Sequence, residues 1–143
     1  EEVVSPYESL KQELSYWECE DSIHIVDFHA EATGEKMAFA YLFDSQVSAI
    51  VGTHTHVQTN DAKILSGGTG YISDVGMCGA ANGVLGFDRN TVISKTIFGS
   101  DTRFDINKED QEMVNAVVID VDEFTLKCKE IFPITIFGEK RDV

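Results

Sequence analysis

Two short apolar segments on either side of one helical segment constrain the fold of this chain more than any other feature. Residues 23–26 and 47–51 are rich in valine and isoleucine, which are typical of strands. Between them, a helix is predicted to begin at Thr33 and to continue through an almost wholly apolar run to Phe43, which indicates burial between layers. A strand, a helix and a strand in this length predict a βαβ crossover with parallel strands.

Histidines follow both predicted strands. His29 comes after the first strand, and His54 and His56 come after the second. Because parallel strands end at one edge of their sheet, all three imidazoles are expected there. In an extended segment, His54 and His56 would also point the same way, since they are two residues apart. Neutral imidazole is a common ligand of transition metals, so the pattern predicts a metal site.

Acidic residues are also expected near this edge of the sheet, namely Asp27, Glu31 and Asp74. Asp27 and Glu31 are predicted to orient the imidazoles through hydrogen bonds rather than to bind metal, and a solvent-facing position stays open for both. The fourth histidine, His24, lies within the first predicted strand. It is interpreted as a structural, hydrogen-bonded residue.

Residues 60–86 are predicted to form loops that line the site, because they contain seven of the eleven glycines. Only Tyr71 and Ile72 indicate a short strand within them. A glycine-rich stretch is more often a turn than a phosphate cradle. The G-x-x-x-x-G-K-[ST] pattern of a P-loop is absent from the sequence.

A helix is predicted near the start of the chain, over residues 6–18. Ser5 and Glu8 have the spacing of a capping box, and Pro6 suits the first helical position. Leu10, Leu14 and Trp17 recur at helical spacing. This pattern predicts one apolar face.

The remaining segments predict a further helix and a hairpin. Asp88 is expected to cap a helix over residues 89–98. Two strand-like runs, 113–121 and 126–137, are joined by a short polar turn, which indicates an antiparallel hairpin that joins the sheet. Three residues of the helix are expected to face inward: Val92, Ile93 and Ile97.

The composition limits the classes of function. The chain has 143 residues with 43% hydrophobic content, which suits one globular unit. Its net charge of −14 disfavours a surface that follows duplex nucleic acid or an anionic membrane. Bound divalent metals would reverse the field locally, so a small anionic substrate remains compatible. The sequence has neither an 18-residue apolar span nor a signal-peptide pattern.

The chain has an odd number of cysteines, without C-x-x-C spacing: Cys19, Cys78 and Cys128. This disfavours a disulfide framework and indicates a reducing, cytoplasmic setting. Cys19 and Cys128 are interpreted as structural. Cys78 is either a reactive thiol or, as we favour, a small buried residue that fills space.

Five blocks of sequence occur in a characteristic order. They are Asp27-Phe28-His29-Ala30-Glu31-Ala32-Thr33 with Glu35-Lys36, Val51-Gly52-Thr53-His54-Thr55-His56-Val57-Gln58-Thr59, Gly67-Gly68-Thr69, Asp74-Val75-Gly76-Met77 and Gly86-Phe87-Asp88-Arg89. In order and spacing they resemble the YmdB-like branch of the calcineurin-like metallophosphoesterases. The resemblance extends from about the first helix to the final hairpin.

The resemblance implies a hydrolase with a layered α/β-sandwich fold that cleaves phosphodiesters, with cyclic nucleotides as the substrate class. It implies a dinuclear metal centre of iron or manganese, with zinc or magnesium as alternatives, and attack on phosphorus by a metal-bound hydroxide. His29 and His54 would bind one metal, and His56 the other. A second group would lie around these ligands or in the substrate loop: Asp27, Glu31, Thr53, Thr55, Asp74, Gly76 and Met77.

Several functional residues of the family have no counterpart here. They are an aspartate, a bridging glutamate with its neighbouring asparagine, an asparagine–histidine pair and a histidine that assists catalysis. Two metals need roughly eight or more ligands, which three histidines cannot supply. We therefore expect residues 1–143 to be a single unit forming the carboxyl-terminal half of the fold, with the amino-terminal half as its partner. No catalytic residue is assigned within this chain, and the isolated chain is expected to be inactive.

Two points stay open at this stage. Cys78, Ala80, Ala81 and Asn82 depart from the family pattern in one loop, which concerns loop shape and substrate choice. The formation of a homo-oligomer is equally undecided.

A different class of function remains as an alternative. The chain would then be a metal-binding or regulatory module without catalysis, holding one zinc ion through three histidines plus water or Asp74. A plain structural domain is a third possibility. One metal per complete assembly would favour the module, and two would favour the enzyme.

Overall fold

The computed structural model describes residues 4–17, 22–108 and 111–139. Within these ranges, no helix has both the length and the hydrophobicity that crossing a membrane requires. In chain order the elements are α1 (Pro6–Tyr16), β1 (Ile25–His29), α2 (Thr33–Leu42), β2 (Ala49–Thr53), β3 (Lys63–Ile64), β4 (Gly70–Ile72), β5 (Cys78–Ala80), α3 (Arg89–Thr96), β6 (Glu112–Val121) and β7 (Cys128–Phe137).

A four-stranded sheet contains the predicted βαβ crossover. Its strand order is β1-β2-β4-β3, with β1, β2 and β4 parallel and β3 antiparallel to β4. The prediction of parallel strands around α2 is therefore confirmed. The first strand was predicted to end before residues 27–29, and this is wrong. They stay in β1 because each pairs with a residue of β2, ending with His29 opposite Thr53.

The carboxyl-terminal hairpin is confirmed as an antiparallel pair, β6 and β7. Its predicted place in the same sheet is wrong. The hairpin forms a second sheet of order β5-β6-β7, because β6 pairs along its other edge with Cys78–Ala80 of the glycine-rich region. The α/β class of the fold is confirmed, with one mainly parallel and one antiparallel sheet.

Two apolar clusters define three layers. One cluster joins α1 and α2 to the four-stranded sheet, and in it the rings of Phe28 and Phe39 stack with centroids 4.0 Å apart. The other lies between the two sheets, where Ile72 of β4 packs with Cys128 and Ile131 of β7. The order of layers is therefore α1 and α2, the four-stranded sheet and the three-stranded sheet.

The helices bury less of their surface than the sequence indicates. In α2, Phe39 and Ala40 are buried but Tyr41 is 56% exposed, so burial of this helix all round is wrong. Ile93 of α3 and Ile97, which directly follows this helix, were expected to face inward, and both are exposed. The reason is that α3 packs against neither apolar cluster among the described residues.

The caps at the amino-terminal ends of α1 and α3 differ in whether a side chain accepts the hydrogen bond. Asp88 caps α3 as predicted, because its carboxylate accepts the Thr91 amide at 2.9 Å. The capping box at Ser5 is wrong, since its side chain makes no cap hydrogen bond; its backbone oxygen instead accepts the Ser9 amide at 2.9 Å. The helix that begins there ends at Tyr16, and Glu18 lies outside the described residues.

Gly52 of β2 tests how closely the sheet packs beside the site. A Cβ atom there would overlap the Ser73 backbone oxygen and approach the Lys36 side chain. We expect Gly52→Ala to lower the free energy of unfolding by about 1–3 kcal/mol through overpacking. Gly34→Ala in α2 is the matched control, because nothing lies within 4 Å of its Cβ position. The Gly34→Ala variant should raise the free energy of unfolding, measured in urea, by about 0.5–1 kcal/mol. Equal changes in the two variants would contradict the packing argument.

Candidate metal centre

Two of the three candidate ligands meet at the carboxyl edge of the parallel strands. His29 is the last residue of β1, and His54 directly follows β2. The His29 Nε2 atom lies 3.2 Å from His54 Nδ1, with the ring centroids 5.1 Å apart. The predicted convergence of these two imidazoles is confirmed.

This distance between nitrogens suits a shared metal ion. Imidazole nitrogens bind first-row metals at about 2.0–2.1 Å, so two neighbouring ligands of one ion are about 2.8–3.4 Å apart. The 3.2 Å separation of His29 and His54 falls within that range. The pair therefore fits two adjacent positions in one coordination sphere.

Thr53 and Asp27 orient the His29 ring. The Thr53 hydroxyl donates to Asp27 Oδ1 at 3.0 Å, and the same oxygen lies 3.0 Å from His29 Nδ1. Because the Thr53 hydroxyl donates its proton to the hydrogen bond with Asp27, its oxygen accepts a hydrogen bond from His29 Nδ1–H. The lone pair of His29 is then on Nε2, which faces His54. Asp27 is thus linked to the imidazole through Thr53, which the sequence pattern did not assign to this bond.

The backbone after β2 turns at both histidines. His54 has φ of 149° and His56 has φ of 64°, values that favour glycine. The expectation that both side chains point the same way from an extended segment is therefore wrong. Each such conformation costs on the order of 1–3 kcal/mol and persists only where other contacts hold it.

The carboxylate of Asp74 makes those contacts with the loop that follows β2. Its Oδ2 atom accepts the Thr55 amide at 2.8 Å and the Lys36 ammonium at 3.2 Å, and Oδ1 accepts the Gly76 amide at 2.9 Å. Thr55 lies between the two histidines, so one carboxylate holds the middle of the loop. Burial acts to raise the pKa of Asp74, but the donors at Thr55, Gly76 and Lys36 outweigh it and hold the pKa below its usual range.

Lys36 is the residue of this region that sequence reasoning missed. It lies in α2 and is only 1% exposed, as is Asp74, its ion-pair partner. Its ammonium also reaches the Thr53 backbone oxygen at 3.5 Å. A lysine within an otherwise apolar helical run was the available signal, since a buried lysine requires a partner.

His56 lies apart from the other two imidazoles. It lines a cavity of about 190 Å³ together with Met77, Met113 and Asn115. Within residues 4–17, 22–108 and 111–139, no three histidine, cysteine or acidic side chains are close enough to bind one ion. Asp74 is likewise committed to Lys36 and two amides, so it offers no free ligand to the pair.

The other predicted site residues lie around this edge. Glu31 is exposed at the start of the connection to α2. The Thr55 hydroxyl donates to the Val57 carbonyl at 3.0 Å. Gly76 has φ of +84°, and a Cβ there would approach the Gln58 backbone nitrogen. Met77 lines the His56 cavity.

The cysteines and His24 require corrections. Cys78 is exposed, so its interpretation as a buried residue is wrong; it lies in β5, the outer strand of the second sheet among the described residues. Cys128 is buried as expected, and burial raises the pKa of its thiol, whereas Cys19 lies outside the described residues. His24 was interpreted as hydrogen-bonded, but its ring makes no hydrogen bond to a described residue, because it faces a cavity; its backbone oxygen accepts two amides instead.

Gln58 is a second residue that the sequence did not reveal. Its side-chain amide donates to the carbonyls of Ala116 in β6 and Ile134 in β7, at 3.0 and 3.1 Å, and to Val75 at 3.2 Å. Thr135 donates to its Oε1 atom at 3.2 Å. The loop that contains the histidines is thereby fastened to the second sheet.

Known proteins similar to this chain agree on one family. A family model described as "YmdB-like protein" matches residues 1–134. A Bacillus subtilis (strain 168) protein named 2',3'-cyclic-nucleotide 2'-phosphodiesterase is 49% identical over 111 residues, which is 78% of this chain and 42% of that protein. A Mycoplasma pneumoniae putative phosphatase/phosphodiesterase is 42% identical over 125 residues, covering 87% of this chain and 43% of that protein.

Solved structures share the fold. A Mycoplasma pneumoniae protein described as a novel phosphatase superposes with a TM-score of 0.85 at 39% identity, covering 99% of this chain and 49% of that one. A Thermus thermophilus protein described as hypothetical gives 0.83 at 33% identity, covering 97% and 53%. The chain spans less than half the length of the curated relatives it matches. Because the family model covers nearly all of it, the chain belongs to the family of YmdB-like proteins.

Proposed function

We propose that the complete protein is a metal-dependent phosphodiesterase acting on small phosphodiesters, with cyclic nucleotides as the substrate class. The observation that supports this most directly is the pairing of His29 Nε2 with His54 Nδ1 at the spacing of two ligands of one ion. The name of the Bacillus subtilis relative, a cyclic-nucleotide phosphodiesterase, indicates the substrate class. His29 and His54 would hold one metal, and His56 would hold a second.

The chain's own residues provide orientation at such a centre. Thr53 fixes the His29 ring so that its Nε2 lone pair faces the site. Asp74 and Lys36 fix the loop on which His54 and His56 lie. When bound, iron or manganese ions would act as Lewis acids and stabilise the charge that develops on the phosphate oxygens.

We further propose that residues outside this chain complete the site, in the amino-terminal half of the protein. The described residues bring together only two imidazoles, which is too few ligands for a dinuclear centre. The relatives are more than twice as long as their matched segments, so the fold has room for further ligands. The catalytic acid or base is assigned to that other part, and the isolated 143 residues should be inactive. We keep the cytoplasm as the proposed compartment, on the basis of cysteine usage.

Metal analysis combined with a phosphodiester assay tests this proposal. We expect two metal ions per complete protein and hydrolysis of a 2',3'-cyclic nucleotide, but no hydrolysis by residues 1–143 alone. Full activity of the isolated chain would refute the claim that the site is shared. One metal per complete protein would favour the regulatory module, although the separation of His56 from the other two imidazoles does not support a single three-histidine site.

Replacing Thr53 by valine should weaken metal binding without removing a ligand. The substitution keeps the shape of the side chain but deletes the hydroxyl between His29 and Asp27. Loss of such an orienting partner typically lowers metal affinity by about 10–100-fold. Titration of the metal-free complete protein with Mn²⁺ measures the change. Thr53→Ser, which retains the hydroxyl, is the control, and equal losses in both variants would contradict the orienting role.

A further inference from the structure

A cavity of about 480 Å³ opens at the end of the parallel sheet opposite the candidate metal centre. Its walls come from α1, from the residues that precede β1 and β2, and from the turn between β6 and β7. We call it the amino-end cavity. The residues that define its chemistry are Lys11, Trp17, His24, Ser45, Ser48 and Lys127.

The charged side chains described in the cavity wall are basic, although the chain is strongly acidic. The net charge is −14, yet two lysines and a histidine line this space, and no described lining residue is acidic. Neither Lys11 nor Lys127 forms an ion pair with a described residue. The ring of His24 makes no hydrogen bond to a described residue. With respect to the described residues, these groups are therefore unpaired, and an anionic ligand would satisfy them.

Hydroxyl and aromatic groups complement the charges. Ser48 is buried and Ser45 is exposed, and both line the cavity with hydroxyls that can donate to phosphate oxygens. Trp17 is 40% exposed at the wall, so part of its indole is accessible. Ammonium groups bind phosphate as point charges, and an indole face stacks on a nucleobase. A ligand that has both a phosphate and a planar ring matches this combination.

We propose that the amino-end cavity binds a nucleoside monophosphate, with the phosphate near Lys11 and Lys127 and the base against Trp17. The volume lies within the range of about 300–1,000 Å³ that is usual for small-molecule sites. The site is independent of the proposed hydrolysis, because its residues precede β1 and β2 whereas the imidazoles follow them.

Fluorescence of Trp17 provides a local test. The signal from Trp17 is the difference between the protein and its Trp17→Phe variant. We expect AMP to change this signal in a saturable way, and Lys11→Gln or Lys127→Gln to lower its affinity by about tenfold or more, since each removes a charged donor. Lys129→Gln is the matched control. Lys129 is on the same hairpin but is half exposed, paired with Asp120 at 3.4 Å, and outside the cavity.

The outcomes divide clearly. Loss of AMP affinity in the Lys127 variant, with normal affinity in the Lys129 variant and in a His54→Ala variant, supports the proposal. Equal losses of AMP affinity in the Lys127 and Lys129 variants would show that the net charge of the protein, and not a specific contact, causes the loss. That result would overturn the proposal. Inorganic phosphate is the second probe, and phosphate binding as tight as AMP binding would overturn the assignment to a nucleotide. A signal that does not change up to millimolar AMP would overturn the site itself.

Discussion

Replacing His54 by alanine in the complete protein is expected to lower phosphodiester hydrolysis by at least ~100-fold. The substitution removes one of two imidazole nitrogens that face each other at 3.2 Å, so the proposed metal position would lose a ligand. Metal ions in such sites contribute several kcal/mol of transition-state stabilisation, and each 1.4 kcal/mol is a factor of ten in rate. The measurement is kcat/KM for a 2',3'-cyclic nucleotide together with bound metal per protein.

Two comparisons make this prediction specific. His29→Ala should give a similar loss of activity and of metal, because it removes the facing nitrogen. Lys129→Ala is the control, since Lys129 belongs to the second sheet and pairs with Asp120. Unchanged turnover in His54→Ala, or a loss of activity with full metal content, would reject the assignment of His54 as a ligand.

Replacing Asp74 by alanine is expected to cost about 3–5 kcal/mol of folding free energy. Asp74 and Lys36 are each 1% exposed, so the variant leaves a buried ammonium without its ion-pair partner. It also releases the Thr55 and Gly76 amides. Urea unfolding of the wild type, Asp74→Ala, Lys36→Met and the double variant measures the effect. The double variant should be less destabilised than the sum of the single ones, and strict additivity would contradict direct coupling.

Lys36→Met should be milder than Asp74→Ala. In that variant, the Asp74 carboxylate keeps the two amide donors from Thr55 and Gly76. In the aspartate variant, the Thr53 carbonyl at 3.5 Å is the one partner that Lys36 keeps among the described residues. A lysine variant that is the more damaging of the two would show that this account of the pair is wrong.

The lowered pKa of the Asp74 carboxylate should make the stability of the fold depend on pH. The pKa of Asp74 in the folded state lies below the ordinary value of 3.8, so the unfolded state binds more protons in that range. The stabilisation is therefore fully present above pH values near 3.8 and is lost as the pH falls through the lowered pKa. The stability difference between the wild type and Asp74→Asn should narrow on acidification, and a difference that widens would have the wrong sign.

The sequence predicts the features of this fold that depend on local pattern. The βαβ crossover follows from two apolar runs and one helical segment, and the meeting of His29 and His54 follows from parallel strands ending together. The hairpin was also predictable, because its two runs are long and joined by a short polar turn. The sheet to which it belongs was not, because that depends on pairing of β6 with Cys78–Ala80, far away in sequence.

The features that the sequence did not predict depend on contacts between residues that are far apart in the chain. The turned backbone at His54 and His56 requires the hydrogen bond that the Thr55 amide donates to Asp74, 19 residues away in the sequence. The burial of Lys36 requires the same carboxylate, which is 38 residues away. Hydrophobic periodicity in α3 predicts an inward face, but periodicity does not reveal whether another layer is present to cover it.

The three carbonyls that meet the Gln58 amide affect how long the histidine loop keeps its shape. Two belong to opposite strands of the hairpin, and the residue they fasten comes two positions after His56. Separation of the two sheets would break these bonds and free the loop in one event, so the loop should not fray independently of the sandwich. The rate at which the two sheets separate should then determine how long the histidine loop keeps its geometry. The hairpin would thus slow the loss of the His29–His54 arrangement, although it does not contact that pair.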